Sequence, residues 1–264
     1  MVKKLKEIEC FLLDMDGTFY LGNRLIDGAQ KFLQKIEQQN KKLLFLTNNS
    51  SKSSRDYQQK LEGLGVFVPP ENIINSGEVT ADYIKERKEG ARVYLVGTPS
   101  LQDELEAVGL QVTTDKEGKI DYLVLGFDTT LTYKKLWDAH DLILDGIPYL
   151  ATNPDYVCPL EDKKTMPDCG SIISLLKTST GKEPLVIGKP NTLMVDYVAR
   201  KTGIDKKRIA MVGDRLYTDI QTAVNAKITG ILVLSGETSR EDLKSAPQKP
   251  DYIFPSIKEL GEAL

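Results

Sequence analysis

The chain has 264 residues, 41% of them hydrophobic and 28% charged, with a formal net charge of −3. That length buries a sizeable core, the composition excludes a disordered or membrane-embedded chain, and basic residues occur in small groups such as Lys206, Lys207 and Arg208, so no footprint for nucleic acid exists. No apolar run approaches membrane-spanning length, Met1 to Cys10 carry no signal-peptide features, and Cys10, Cys158 and Cys169 are too few and too scattered for a disulfide framework or a tetrahedral metal site; a cytoplasmic protein is expected, and nothing in the sequence sets its oligomeric state.

Short apolar runs alternate with segments of helical period, the pattern of βαβ units and a parallel sheet. Cys10 to Leu13 reads as a buried strand, and Gly28 to Gln39 as a helix with Ala29, Phe32, Leu33 and Ile36 on one face. Leu43 to Leu46 is the next strand, Ser53 to Leu64 a helix closed by Gly65, and Ile73 with Ile74 continue the sheet. The middle of the chain repeats the alternation: strands at Arg92 to Val96, Tyr122 to Leu125 and Tyr149 to Ala151, helices at Leu101 to Val108, Thr132 to Leu144 and Gly170 to Thr178. Leu185 to Ile187, Ile209 to Val212 and Gly230 to Leu234 read as three further strands of the first sheet, with helices at Thr192 to Lys201 and Thr218 to Ala226. The expectation is an α/β protein: a doubly wound, Rossmann-like parallel-sheet core in two parts, residues 1–79 and 181–264, with an inserted α/β domain over 80–180.

Ligands of open parallel sheets bind beyond the carboxyl ends of the strands. There the sequence places Asp14-Met15-Asp16-Gly17-Thr18, Thr47-Asn48-Asn49-Ser50, Gly188-Lys189-Pro190, and Gly213-Asp214 followed by Thr218-Asp219. Brought to one point, Asp14, Asp16 and Asp214 would repel one another. A hard divalent cation resolves the conflict, and magnesium suits an oxygen shell of carboxylates, waters and phosphate, whereas zinc calls for His and Cys ligands. Thr47, the Asn48 backbone and Lys189 add donors for the charge on a transferring phosphoryl group. Each segment alone has an ordinary reading as a turn, a helix cap or a solvated lysine; their joint occurrence at successive strand ends favours a site.

Phe11 to Thr18 resembles the first motif of the haloacid dehalogenase superfamily, Asp-x-Asp-Gly-Thr, and the other three segments resemble its second, third and fourth motifs in order. The insertion between the second and third motifs is similar to the large α/β cap of the NagD and 4-nitrophenylphosphatase branch. The resemblance implies a magnesium-dependent phosphatase for small-molecule phosphate esters. It makes Asp14 the nucleophile and a metal ligand, and Asp16 the general acid/base whose backbone carbonyl also meets the metal. Thr47, Asn48 and Asn49 would bind phosphate, Lys189 would steady nucleophile and phosphate, Asp214 would complete the Mg2+ shell, and Asp219 would support the metal site. Asp16 separates a phosphatase from dehalogenases, which lack it, and from the ATPase branch, which has threonine there. In the insert, the segments around Asn153 and Asp168 resemble those that face substrate in this branch.

His140 reads as a packed or surface residue, Trp137 as core of the insert on a face shared with Tyr133 and His140, and Leu136 and Leu144 as packing. Two readings compete with the phosphatase. A signalling receiver also uses an acidic magnesium site with Thr and Lys but has no use for the insert. A non-hydrolytic phospho-accepting or ligand-binding protein on the same fold would not need Asp16. Nucleotide, sugar, polyol and pyridoxal phosphates all fit the motifs equally.

Overall fold

A computed structural model describes residues 5–160 and 164–264; Met1 to Lys4, the start of the N-terminal stretch read above, lie outside them. In chain order the strands are β1 (Cys10–Leu13), β2 (Tyr20–Leu21), β3 (Arg24–Leu25), β4 (Lys42–Thr47), β5 (Ile73–Asn75), β6 (Arg92–Val96), β7 (Gln111–Thr113), β8 (Tyr122–Leu125), β9 (Tyr149–Ala151), β10 (Val157–Pro159), β11 (Thr165–Pro167), β12 (Leu185–Val186), β13 (Ile209–Gly213), β14 (Thr229–Val233) and β15 (Tyr252–Phe254). The α-helices are α1 (Ala29–Gln38), α2 (Ser54–Gly63), α3 (Ser76–Arg87), α4 (Pro99–Ala107), α5 (Tyr133–Leu144), α6 (Cys169–Thr180), α7 (Leu193–Thr202), α8 (Gln221–Ala226), α9 (Asp242–Ser245) and α10 (Ile257–Ala263). None of the described helices is long and apolar enough to cross a membrane.

The chain divides into two compact units. The first holds 1–47, 57–74 and 189–264, the second 48–56 and 75–188. In the first unit a six-stranded sheet runs in the order β15-β14-β13-β1-β4-β5, with parallel pairing from β4 through β1, β13 and β14 to β15. All four residues of β1 are fully buried, as expected of a central parallel strand covered on both faces. Phe11 and Leu13 meet Phe32, Phe45, Val212 and Ile231 in one core. Helix α1 supplies Ala29, Phe32 and Ile36, at the spacing that puts them on one face. The chain leaves β1 towards β4 and β5, and returns on the other side of β1 through β13, β14 and β15. The order therefore reverses at the β1/β13 boundary, where an open α/β sheet has its crevice.

The second unit has its own five-stranded sheet, order β12-β9-β8-β6-β7. This corrects one sequence assignment: the strand at Leu185 does not belong to the first sheet. It pairs in parallel with β9, Leu185 opposite Leu150 and Val186 opposite Ala151. Local caps set the helices of this unit. Thr98 accepts from the Leu101 N–H with Pro99 in the first turn of α4, Asn75 accepts from the Glu78 N–H at the start of α3, and α6 stops at Gly181 in the left-handed region.

Trp137 is 62% exposed and Tyr133 more so, and Leu144 is also exposed, so these three are not core, contrary to the reading of Trp137 and Leu144. Helix α5 instead buries Ala139, Leu142 and Ile143, with Leu136 packed partly beside them. His140 shares a hydrogen bond with the Ser179 hydroxyl at 3.1 Å.

Glu104 on α4 accepts from the Asn75 side-chain amide, and burial pushes its carboxyl from 4.5 up to about 7. An acid raised in the folded state favours folding at low pH. That contribution is lost as pH climbs from the unfolded value through the folded one. Glu104→Gln removes the slope, so the variant should gain on the parent between about pH 4.5 and 7, by on the order of a few degrees in Tm. Thermal melts of both proteins at pH 5 and pH 8 check this, and an equal difference at both pH values would contradict it.

Candidate active site

Asp14 is the first residue beyond β1, and its N–H donates to the Val212 carbonyl of β13 at 2.9 Å. The chain then folds tightly on itself. Phe19 and Tyr20 both donate to the Met15 carbonyl, and the Gly17 N–H donates to Tyr20 O. Met15, Phe19 and Tyr20 are buried, which anchors the loop in the core. Gly17 has φ +82°, and a Cβ there would lie 2.5 Å from Asp214 Oδ2, so both backbone and space demand glycine. Thr18 Oγ1 donates to Asp214 Oδ1 at 3.2 Å, and the Glu237 N–H donates to Oδ2 at 2.7 Å.

After β13, one turn of π-helix at Leu216–Ile220 swings Asp219 back towards the strand end; such turns recur at functional sites. Its Oδ2 accepts from the Arg215 N–H at 3.1 Å, and a Cβ on Gly213 would sit 2.2 Å from its Cγ. Lys189, 3% exposed, joins these acids. Its Nζ donates to Asp14 Oδ1, to Asp219 Oδ1 at 2.7 Å and to the Leu46 carbonyl at 3.3 Å.

Asp14, Asp214 and Asp219 each present an oxygen within 4.8 Å of the others. Burial, then the charges of Asp14 and Asp219, push Asp214 up to about 7. Burial likewise pushes Asp219 up to about 6, against the pull of Lys189. Lys189 itself is held above the usual lysine value, because Asp14 and Asp219 outweigh its burial. Acids so crowded form a donor set of hard oxygens that a divalent cation would relieve. Asp16 lies outside this trio. The residue reaches the surface, yet its carboxyl is hemmed in by protein, and this desolvation raises its pKa against the attraction of Lys60.

Thr47 ends β4 in the first unit, buried; the next residue, Asn48, belongs to the second. The Asn48 side-chain amide donates to Asp155 Oδ2 at 2.8 Å, and the main-chain carbonyl of Asn48 accepts from Ser76 Oγ at 2.6 Å. Asn49 turns back on its own loop, accepting from the Ser51 N–H and hydroxyl at 2.9 and 2.7 Å. Asn153 and Asp168 lie inside the second unit. Asn153 is fully buried and donates through Nδ2 to Asp168 Oδ1 at 3.0 Å and to Asp155 Oδ2 at 3.2 Å, while Asp168 caps α6.

Several residues around the acids went unread in the sequence: Arg215, Lys60 and the Ser235-Gly236-Glu237 turn after β14. Ser235 Oγ donates to the Gly17 carbonyl at 2.8 Å, and a Cβ on Gly236 would lie 2.0 Å from Asp214 Oδ2. The strand-end rule that picked out the other four segments applied equally to β14.

A doubly wound parallel sheet with acids and a buried lysine at its switch point defines an α/β protein with a polar site in its sheet crevice, and comparisons with known proteins specify its class. Residues 11–111 match the profile of haloacid dehalogenase-like hydrolases and residues 186–260 a HAD-hydrolase-like profile. The acid sugar phosphatase of Staphylococcus haemolyticus is 36% identical over 98% of this chain and 97% of its own. The 4-nitrophenylphosphatase of Thermotoga maritima is 47% identical over 98% of each chain, with a TM-score of 0.93. A glycerol phosphate phosphatase from Mycobacterium tuberculosis, solved with magnesium and also with calcium, is 32% identical, with a TM-score of 0.89 over 98% of this chain and, in the magnesium complex, 78% of its own. The chain belongs to the haloacid dehalogenase-like hydrolases, in their NagD and 4-nitrophenylphosphatase branch, and is a phosphoric monoester hydrolase.

Proposed function

We propose that the protein is a magnesium-dependent phosphatase that hydrolyses small phosphate monoesters through a phosphorylated Asp14. The observation that carries this reading is the convergence of Asp14, Asp214 and Asp219 within 4.8 Å, with Lys189 bonded to Asp14 and Asp219. The donor set fits Mg2+: Asp14, Asp214 and the backbone carbonyl of Asp16 would hold it, with Asp219 in support. Bound there, the ion supplies positive charge that offsets both the clustered carboxylates and the phosphate.

The residues of the chain divide the work. A carboxylate oxygen of Asp14 attacks phosphorus and the bond to the ester oxygen breaks, while Asp16 gives its proton to the departing alcohol. Asp16 then takes a proton from water, whose oxygen attacks phosphorus, releasing inorganic phosphate and freeing Asp14. Lys189 holds Asp14 in place and offsets charge on the phosphoryl oxygens, and Asp219 holds Lys189. Thr47, Asn48 and Asn49 bind the phosphoryl oxygens. Residues 80–180 act as a cap that governs which alcohol is accepted, the role in which Asn153 and Asp168 take part; the second compact unit supports this reading. The names of the relatives, which act on sugar, glycerol and nitrophenyl phosphates, support a small ester without agreeing on one alcohol.

With 4-nitrophenyl phosphate the purified protein should turn over in millimolar magnesium. Excess chelator should cut the rate by at least about 100-fold, and added magnesium should restore it. Undiminished turnover in chelator would overturn the metal assignment.

A further inference from the structure

We infer that Asp155 is a positioning residue for phosphate binding, acting through Asn48; the inference rests on reading Asn48 as part of the phosphate-binding loop. Asp155 Oδ2 accepts from Asn48 Nδ2 at 2.8 Å, a carboxylate oxygen facing an amide donor, a pairing stronger than two amides make. The acceptor is itself fixed. Asn153, fully buried, donates to the same oxygen, and Asn153 is held in turn by Asp168 at 3.0 Å and by the Thr152 hydroxyl at 3.0 Å. The main chain of Asp155 is pinned as well, its carbonyl accepting from the Gly170 N–H at 2.8 Å. A side chain at residue 170 would close to 2.2 Å of the Pro154 carbonyl, so this approach requires glycine.

Asn48 is gripped from other directions too. Ser76 Oγ holds its main-chain carbonyl at 2.6 Å, and Gly188 leaves the room its side-chain amide needs, since a Cβ there would lie 2.7 Å from Asn48 Oδ1. Two residues on, Ser50 Oγ pairs with Thr152 Oγ1 at 2.8 Å and accepts from the Phe127 N–H at 3.1 Å. The loop after β4 is thus stitched to the end of β9 by two side-chain pairs, Asn48 with Asp155 and Ser50 with Thr152. An anion held by successive groups of a loop needs their directions fixed before it arrives, and the Asp155 carboxylate fixes the one at Asn48.

The test is the inhibition constant of inorganic phosphate against 4-nitrophenyl phosphate hydrolysis, measured for the parent, N48A, D155N, D155A and N48A/D155A, with a thermal melt of each. D155A should weaken phosphate about tenfold and D155N, which keeps a neutral acceptor, about threefold. In the N48A background D155A should add less than about twofold, because its effect passes through Asn48. If D155A shifts the melt but leaves the constant within about twofold of the parent, or adds its full factor on top of N48A, Asp155 does not position Asn48 and the inference falls. If N48A itself leaves the constant unchanged, the reading of Asn48 fails first and takes the inference with it. Should D155A not fold, the same cycle run with D155N decides.

Discussion

Asp14→Asn is expected to lower kcat for 4-nitrophenyl phosphate by about 10,000-fold or more, and to leave neither a burst of nitrophenol nor a phosphorylated protein on acid quench. The fold should survive, because the main chain of Asp14 hangs on the Val212 carbonyl independently of its carboxylate. Asp16→Asn should fail differently. It keeps the nucleophile and withdraws the proton that an alkyl leaving group needs and the base that water needs. A nitrophenolate departs unprotonated, so single-turnover phosphorylation should persist with the aryl ester and fall far more with a sugar phosphate, and the phosphoenzyme should live longer. A normal burst in the Asp14 variant, or equal losses for aryl and alkyl esters in the Asp16 variant, would overturn these two roles.

Lys189→Met should be nearly as damaging, and for two separable reasons. The lysine is buried and bonded to both Asp14 and Asp219. Removing one member of a buried ion pair leaves charge without compensation and costs about 3–5 kcal/mol. Catalysis loses both the group that orients the nucleophile and the cation beside the phosphoryl oxygens, a loss of roughly a thousandfold in kcat/KM. The stability deficit should shrink when magnesium is added, since a cation bound among the acids favours the folded state by mass action. Denaturant titrations of parent and variant, with and without magnesium, check this; a variant as stable as its parent in chelator would show that Lys189 is not offsetting the acids.

The cluster of Asp14, Asp214, Asp219 and Lys189 was legible in the sequence because these residues sit next to their own strands. Cys10 to Leu13 is a short, wholly apolar run followed at once by two aspartates and a glycine, so strand, turn and acids are read from adjacent positions. What failed was information carried by distant partners. Leu185 and Val186 look like any buried strand, and their pairing with β9 rather than the first sheet is decided by residues some thirty positions upstream. The face shared by Tyr133, Trp137 and His140 is plain from helical spacing, but which face of α5 turns inward is set by the sheet beneath, which Ala139, Leu142 and Ile143 cover. Strand β15, only Tyr252–Phe254, is flanked by Pro250 and Pro255, which mask it as a loop. The bonds that join Asn153 to Asp155 and Asp168 are equally invisible locally.

The division of the chain between Thr47 and Asn48 bears on how such proteins exchange parts. A chimera cut only at the borders of the insertion would carry Asp155 and Thr152 of one parent but Asn48 and Ser50 of the other, pairing donors and acceptors that arose apart. Grafts that transplant residues 48–56 together with 75–188 keep both stitches from a single parent. Exchange of this unit is therefore best served by a discontinuous module whose shorter piece, residues 48–56, lies upstream of the segment that looks like the insert.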